Sequence, residues 1–336
     1  MTEKVLEVKE LRTHFYTRAG DLRAVDGLSY YVNRGESVGL VGESACGKSV
    51  SALSVMRLIP NPPGMIAGGE ILFNGQDILR VSEEEMQHIR GNKIAMVFQE
   101  PTTSLNPVLT VRRQLTESLE LHRGMDSASS AHEAIKLLQL VGIPDPGRRL
   151  KDYPYQFSGG MQQRIMIAMA LSCNPALLIA DEPTTSVDVT VQAQLLEIID
   201  DLRSRFGTAV IIITHNLGVV ARYVDRVNVM YAGRLAESGV TDVIFDHPMH
   251  PYTLGLLQSV PRLDLPRDRE LGVIEGLPPN LACVPSGCAF HPRCKFVIDR
   301  CRKERPPFEE AEENHFSACF RSQEIDEIKR PEPESE

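Results

Sequence analysis

The sequence predicts an α/β fold in which a largely parallel sheet is covered by helices on both faces. Short, largely apolar segments alternate with stretches of helical periodicity, which is the pattern of strands buried on both faces. The apolar segments are Val38–Val41, Ile94–Phe98, Ala176–Ala180, Ala209–Ile213 and Val227–Tyr231. Residues 100–165 are helical in pattern and interrupt this alternation. We therefore expect a helical subdomain inserted between two parts of the sheet.

The first residues predict a different kind of sheet. Residues 4–32 alternate apolar and polar side chains, as β-hairpins do. Asn74-Gly75 is a hairpin signal as well.

Two further segments predict helices. Residues 49–58 are predicted to be helical, and Ser130 with Glu133 forms a capping-box pattern that predicts the start of another helix.

Composition and charge limit the functional class. The chain has 336 residues, 42% of them hydrophobic, and a net charge of −9, so no general affinity for nucleic acid is expected. No apolar run approaches the roughly 18–20 residues needed to span a bilayer. Met1–Lys4 leads directly into the first strand-like segment, and no signal peptide is visible. We expect a cytosolic protein that reaches a membrane only by docking on another protein.

Residues 42–49 match the phosphate-binding pattern G-x-x-x-x-G-K-S between a strand and a helix. Backbone N–H groups and the helix dipole at such a loop hold phosphates, so the sequence predicts ATP binding here. Lys48 is expected to neutralise phosphoryl charge, and the Ser49 hydroxyl to ligate Mg²⁺. The predicted nucleotide contacts of this P-loop are Gly42, Glu43, Ser44, Ala45, Cys46, Gly47, Lys48 and Ser49.

A second polar site follows the apolar strand at residues 176–180. Asp181 and Glu182 end this strand, where acidic residues are unusual unless they have a role. Asp181 is predicted to hold Mg²⁺ through water, and Glu182 to polarise the attacking water as general base.

The segment Ser158-Gly159-Gly160-Met161-Gln162 resembles the signature motif of ATP-binding-cassette (ABC) proteins. The resemblance implies a P-loop NTPase core with a helical signature subdomain. It also implies that Ser158, Gly159 and Gly160 contact the γ-phosphate bound to an opposing cassette. A helix N-terminus is suited to such an anion contact.

The resemblance implies further site residues. Gln99 is similar to the Q-loop residue that touches Mg²⁺ and the attacking water, and His215 to the switch histidine at the γ-phosphate. Asp188 is similar to the D-loop aspartate at the dimer interface, although Thr185-Ser186-Val187 departs from the usual Ser-Ala-Leu before it. Phe15, or else Tyr16, is positioned like the aromatic residue that stacks on adenine.

Cys46 stands where many relatives carry serine. Because a thiol at a helix N-terminus can have a lowered pKa, we expect Cys46 to be sensitive to alkylation and protected by ATP.

Several segments resemble one branch of the family, the dipeptide/oligopeptide and nickel importers. They are Glu100–Pro107, Asp181–Thr185, His250–Thr253 and the C-terminal extension rich in Pro and Cys. The resemblance implies an ATPase motor on the cytoplasmic side of the cell membrane. The implied partners are a second cassette, self or homologous, two membrane permease subunits and an extracytoplasmic peptide-binding protein.

Seven cysteines are present, and five of them lie between positions 283 and 319. Clustering in a cytosolic chain favours a metal site over disulfides. Cys288, Cys294, Cys301 and Cys319 are the predicted ligands, with Cys283 as the spare. Thiolates suit both zinc and an iron–sulfur cluster, and His291 and His315 are alternative zinc ligands. The family resemblance implies [4Fe-4S], with Zn²⁺ as the alternative.

These assignments divide the chain into five predicted segments. They are residues 1–98 (first part of the nucleotide-binding core), 99–165 (helical subdomain), 166–240 (second part of the core), 241–322 (C-terminal importer-type extension with the Cys cluster) and 323–336 (disordered tail).

Other functions remain open at this point. The motor could serve nickel or another small solute in place of peptides. A soluble ABC ATPase acting on DNA or ribosomes is disfavoured because the chain has one cassette, no heptad insert and an acidic balance. An exporter motor is disfavoured by the importer-type C-terminal segments.

Overall fold

The computed structural model describes residues 3–18, 20–183, 189–260 and 272–325, apart from the side chains of Thr102, Val189, Thr190 and Leu202. The strands among these residues are β1 (Lys4–Thr17), β2 (Gly20–Asn33), β3 (Ser37–Val41), β4 (Gly64–Phe73), β5 (Gln76–Asp77), β6 (Ile94–Val97), β7 (Leu177–Asp181), β8 (Ala209–Thr214), β9 (Arg226–Tyr231), β10 (Arg234–Val240), β11 (Glu309–Glu312) and β12 (His315–Ser317).

The helices are α1 (Lys48–Val55), α2 (Glu83–Ile89), α3 (Pro101–Ser104), α4 (Val111–Arg123), α5 (Ser127–Leu140), α6 (Pro146–Arg149), α7 (Gly159–Leu171), α8 (Val189–Phe206), α9 (Leu217–Tyr223), α10 (Thr241–Asp246), α11 (Pro251–Gln258) and α12 (Asp299–Lys303). Short 3₁₀ turns occupy Pro154–Gln156, His291–Arg293 and Ser322–Glu324. None of the helices in the described ranges combines the length and apolarity needed to cross a bilayer.

The chain forms two compact units. The first comprises residues 1–7, 31–37 and 72–213, and its sheet is parallel in the order β8-β7-β6. Every residue of β7 is buried, which explains why this strand reads as a continuous apolar run. In the same unit α4, α5 and α7 pack against one another. The helical pattern predicted for residues 100–165 is thereby confirmed.

The second unit comprises residues 8–30, 38–71 and 214–336. In it β3 pairs in parallel with β9, and the sheet continues through antiparallel β10, β12 and β11. The predicted long hairpin is present as β1 and β2, and β4 lies beside β1. The α/β class is confirmed, and the antiparallel strands β10–β12 add to the parallel arrangement that the sequence predicts.

Two local predictions have different outcomes. The Asn74-Gly75 turn joins β4 to β5, and both residues have positive φ, 47° and 81°. The helix predicted to begin at Ser130 begins earlier, because the Asp126 carboxylate accepts hydrogen bonds from Ala128 N at 2.9 Å and Ser129 N at 3.0 Å. The Ser130 capping prediction is therefore wrong.

Candidate functional site

The P-loop lies in the second unit, between the fully buried strand β3 and helix α1. Its two glycines have positive φ, 149° at Gly42 and 105° at Gly47. A Cβ atom on Gly42 would lie 2.3 Å from the carbonyl oxygen of Met230, and one on Gly47 would lie 2.2 Å from that of Ala24. Only glycine fits at these positions, so the loop can wrap tightly enough for its N–H groups to face a phosphate.

The lysine of the motif is held inside the loop. Lys48 is 4% exposed, and its Nζ donates to the carbonyl oxygens of Gly42 at 2.7 Å and Glu43 at 2.8 Å. The ammonium group is thus held within the loop by two hydrogen bonds to its backbone. Ser49 follows it on α1 and is partly buried.

The structure corrects the expectation for Cys46. Its side chain is buried, 5% exposed, and burial raises the pKa of the thiol although nearby Lys48 opposes this shift. A thiol with a raised pKa carries less thiolate at neutral pH and reacts more slowly. The alkylation sensitivity predicted from the helix N-terminus is therefore not expected.

The two candidate adenine-stacking residues point to opposite faces of β1, since side chains alternate along a strand. Phe15 shares its face with Thr13, whose hydroxyl is hydrogen-bonded at 2.8 Å to the hydroxyl of Ser54 on the P-loop helix. Tyr16 is 48% exposed. The face of β1 that meets α1 therefore carries Phe15.

The carboxylate pair lies in the first unit, at the end of β7. Asp181 is 5% exposed and ends the strand, in register with Ile213 of β8. Glu182 turns out of the sheet with φ 44°, and its N–H donates to the carbonyl of Ile213 at 2.9 Å. Gln99 follows the adjacent strand β6, and its Nε2 donates to Glu182 Oε2 at 3.0 Å. The fold brings together two residues that are 83 positions apart in the sequence.

The Ser158 segment is the start of the 13-residue helix α7, also in the first unit. Ser158 is the N-cap, and its hydroxyl accepts from Met161 N at 3.4 Å. Ser158 and Gly159 are exposed, and a Cβ atom on Gly159 would meet nothing within 4 Å. This helix N-terminus is therefore open to a large anionic ligand or to a partner.

The remaining predicted nucleotide contacts are His215 and Asp188. His215 is exposed in the second unit, directly after β8. Asn216 beside it caps α9 by accepting from Gly218 N at 3.0 Å. Asp188 lies outside the described residues.

Comparisons with known proteins identify the family. A sequence family described as "ABC transporter" matches residues 25–185. A probable peptide ABC transporter ATP-binding protein, y4tR of Sinorhizobium fredii, is 50% identical over 321 residues, 96% of each chain. The chain belongs to the ABC transporter family as an ATP-binding subunit. This ABC subunit is accordingly an ATPase, as the P-loop and the carboxylate pair predict.

The comparisons also place this ABC subunit in one branch of the family. A family described as "Oligopeptide/dipeptide transporter, C-terminal region" matches residues 236–301. The oligopeptide transport ATP-binding protein OppD of Bacillus subtilis is 48% identical over 93% of this chain and 87% of its own. A dimeric bacterial ABC transporter cassette, MJ0796, is similar in structure, with a TM-score of 0.63 at 26% identity over 70% of this chain and 98% of that one. The predicted family and the cassette fold are confirmed.

Two residues next to the P-loop of this ABC subunit were not predicted. Tyr252 of α11 and Arg293 of the 3₁₀ turn both contact Glu43. Arg293 is 250 positions from Glu43, and a single sequence carries no signal that pairs two such distant residues. A local hint was present, since Tyr252 belongs to the His250–Thr253 segment that resembles the importer branch.

The four predicted cysteine ligands lie near one another in the second unit. Burial, and to a lesser extent the neighbouring thiols, raise the pKa of Cys294 to about 11 and that of Cys319 to about 12. Cys288 N donates to the carbonyl of Cys301 at 2.8 Å, and Arg321 N donates to Cys319 Sγ at 3.4 Å.

These thiols do not form a metal site in the arrangement that the structure has. Across the described ranges no group of three or more His, Cys, Asp and Glu side chains is placed to hold a metal ion. His315 is already engaged, because its Nε2 is bonded to buried Glu237 Oε1 at 2.7 Å. The alternative prediction of His315 as a zinc ligand is therefore not supported.

Proposed function

We propose that the chain is the ATP-hydrolysing motor of an ABC importer for dipeptides or oligopeptides. The observation that carries this proposal is the match of relatives named as peptide import or oligopeptide transport proteins over more than nine-tenths of the chain. The C-terminal match at residues 236–301 supports the same branch.

The proposed assembly contains two cassettes, the second being another copy or a homologous chain, on the cytoplasmic side of two permease subunits. An extracytoplasmic binding protein delivers the peptide. The exposed Ser158 segment supports a cassette pair, because an open helix N-terminus with Gly159 in empty space is suited to an anion held by another chain.

Within the proposed site, Glu182 is the general base. The hydrogen bond from Gln99 Nε2 to Glu182 Oε2 supports this role, because it orients the carboxylate. Gln99 thereby connects the base to the helical subdomain that begins at residue 99 and that faces the permease in this proposal. His215 is proposed to contact the γ-phosphate, and Asp188 to contact the opposing cassette.

The proposed nucleotide contacts are the P-loop residues 42–49, Phe15 at the adenine and the Ser158–Gly160 segment of the opposing cassette. The P-loop cradle, which a Cβ atom at Gly42 or Gly47 would fill, supports phosphate binding. Mg²⁺ would neutralise phosphoryl charge, held by the Ser49 hydroxyl, by Asp181 through water and by Gln99.

For the cysteine group, we propose a [4Fe-4S] cluster on Cys288, Cys294, Cys301 and Cys319, with Zn²⁺ as the alternative. Two hydrogen bonds support a soft metal here: Cys288 N donates to the Cys301 carbonyl, which brings two of the cysteines together, and Arg321 N donates to Cys319 Sγ. Because the thiols are not grouped as a finished metal site, the decisive measurement is analysis of iron, sulfide and zinc in anaerobically purified protein. Four iron and four sulfide per chain are expected, whereas zinc alone would select the alternative.

The function is tested by purifying the tagged chain from detergent-solubilised native membranes and identifying its partners by mass spectrometry. Two permease subunits and a second cassette are expected. Uptake of a radiolabelled dipeptide should be lost in cells carrying Glu182→Gln, with Ni²⁺ uptake unchanged. Loss of Ni²⁺ uptake alone would select the nickel alternative, and ribosomal or DNA-repair partners without a permease would contradict the importer proposal.

A further inference from the structure

The N–H groups of the Arg293 side chain all donate hydrogen bonds to residues of the second unit. It is 6% exposed and forms a two-pronged ion pair with Glu43, Nη1 to Oε2 at 2.7 Å and Nη2 to Oε1 at 2.9 Å. Its other N–H groups donate to the carbonyl oxygens of Glu275 at 3.0 Å and Ile274 at 3.3 Å, and to the Tyr231 hydroxyl at 3.4 Å. All five donors of the guanidinium therefore have acceptors.

The backbone of Glu43 is fixed as well. Its N–H donates to the hydroxyl of Tyr252 at 2.8 Å, and Tyr252 is completely buried. The Tyr252 ring packs on Tyr231 and Phe290, with centroids 4.6 Å and 5.4 Å apart. The residue that follows Gly42 in the P-loop thus has its side chain and its amide held by residues more than 200 positions downstream.

We propose that Arg293, with Tyr252, is a positioning residue of the ATP site that sets nucleotide affinity from the C-terminal extension. Glu43 belongs to the loop that binds the phosphates, and its carbonyl accepts a hydrogen bond from Lys48 Nζ. Holding Glu43 in place therefore holds the loop in the conformation that binds the nucleotide. The loop is already ordered before binding, so binding loses less conformational entropy.

Charge gives a second reason for the pairing. A carboxylate in the P-loop would repel a triphosphate, and the repulsion would be strong in a partly buried site where screening by salt is weak. The planar fork of arginine neutralises that carboxylate on both oxygens, which a lysine cannot do. Arg293 thereby offsets the repulsion between the Glu43 carboxylate and the phosphates of the nucleotide.

A purely structural role for Arg293 would predict a different outcome. In that case, loss of the ion pair would lower stability without a specific effect on nucleotide. If Arg293 acts through Glu43, its removal leaves an unpaired carboxylate that repels ATP, and removal of the carboxylate should relieve the defect. A double variant that removes both the Arg293 and the Glu43 charge therefore distinguishes the structural role from the role in nucleotide binding.

The experiment measures the dissociation constant of a fluorescent ATP analogue, and KM and kcat of ATP hydrolysis, for the full chain within its purified transporter. For Arg293→Met we expect the dissociation constant and KM to rise about tenfold or more, with a smaller change in kcat. Arg293→Lys should give an intermediate increase. Glu43→Gln/Arg293→Met should return to within about threefold of wild type, because the unpaired charge is gone.

Arg300→Met is the matched control. Arg300 lies in the same extension and pairs with a carboxylate, Glu304, at 2.8 Å, outside the P-loop. It should leave nucleotide affinity unchanged. If Arg293→Met does not fold, Arg293→Lys and the double variant provide the same comparison. Nucleotide affinity within twofold of wild type in a folded Arg293 variant, or a double variant worse than Arg293→Met, would overturn the proposal.

Discussion

The P-loop and the Ser158 segment are both helix N-termini that begin with small residues, yet their surroundings differ. At the P-loop, glycine is enforced by backbone oxygens 2.2 Å and 2.3 Å from a Cβ atom, and Lys48 is buried. At the Ser158 segment, Gly159 faces open space and both it and Ser158 are exposed. One helix N-terminus is enclosed by its own chain and the other is exposed.

The difference is the one expected if a single chain encloses the P-loop and a second chain completes the site at the Ser158 segment, as proposed above. A helix N-terminus attracts anions wherever it is, but an enclosed one has its donors already ordered and shielded from water. The P-loop is of this kind, and Tyr252 and Arg293, both in the matched region 236–301, hold Glu43 of this loop by hydrogen bonds. The Ser158 segment has its donors but no enclosure among the described residues, as expected for a group that acts on another chain's nucleotide.

The largest expected effect is a loss of ATP hydrolysis on substitution of Glu182, which leaves the P-loop and the Ser158 segment unchanged. Glu182→Gln removes the proposed base and keeps the hydrogen-bonding shape of the side chain, so kcat for ATP hydrolysis should fall about 10²–10⁴-fold. ATP affinity should stay within a few-fold of wild type, because the P-loop is untouched. Steady-state hydrolysis and nucleotide binding by the purified transporter provide the two readouts. Wild-type turnover would contradict the assignment of Glu182.

The next prediction compares the two glycines directly. Gly47→Ala would place a Cβ atom against the Ala24 carbonyl at a φ of 105°, and we expect ATP affinity to fall about 100-fold. Gly159→Ala adds the same methyl group where nothing in its own chain lies within 4 Å, so ATP binding by the monomeric chain should be unchanged. Binding titrations with both proteins make the comparison. Equal losses at the two positions would mean that the enclosure does not determine affinity.

The smallest expected effect concerns the thiol inside the enclosed site. Because burial raises the pKa of Cys46, iodoacetamide at neutral pH should modify it several-fold more slowly than exposed Cys283. Mass spectrometry of the alkylated peptides gives both rates in one sample. Labelling of Cys46 as fast as Cys283 would show that the P-loop opens readily without nucleotide.

The sequence predicts those features that depend on neighbouring residues. The P-loop glycines, the Asn74-Gly75 turn and the buried strand before Asp181 are all recognisable because local backbone geometry or burial selects their residue types. The start of α5 was predicted wrongly because two cap residues compete there, and Asp126 accepts two backbone N–H bonds.

Features that depend on distant residues could not be predicted. The pairs Gln99–Glu182 and Glu43–Arg293 are 83 and 250 positions apart, and only the folded chain brings them together. The family resemblance supplied a role for Gln99, and the end of the apolar strand supplied one for Glu182, but neither gave a role for Arg293. The burial of Cys46 could not be predicted either, since its position at a helix N-terminus alone suggests a reactive thiol.

The most direct test of the claim that the Ser158 segment serves another cassette is ATP-dependent assembly measured by light scattering. The Glu182→Gln chain, alone or mixed with the second cassette of its transporter, should double in mass when ATP is added. Adding Gly159→Asp places a negative charge where there is space for it, so the chain should still bind ATP but remain monomeric. ATP-dependent assembly that survives Gly159→Asp, or no assembly with either cassette, would contradict the account.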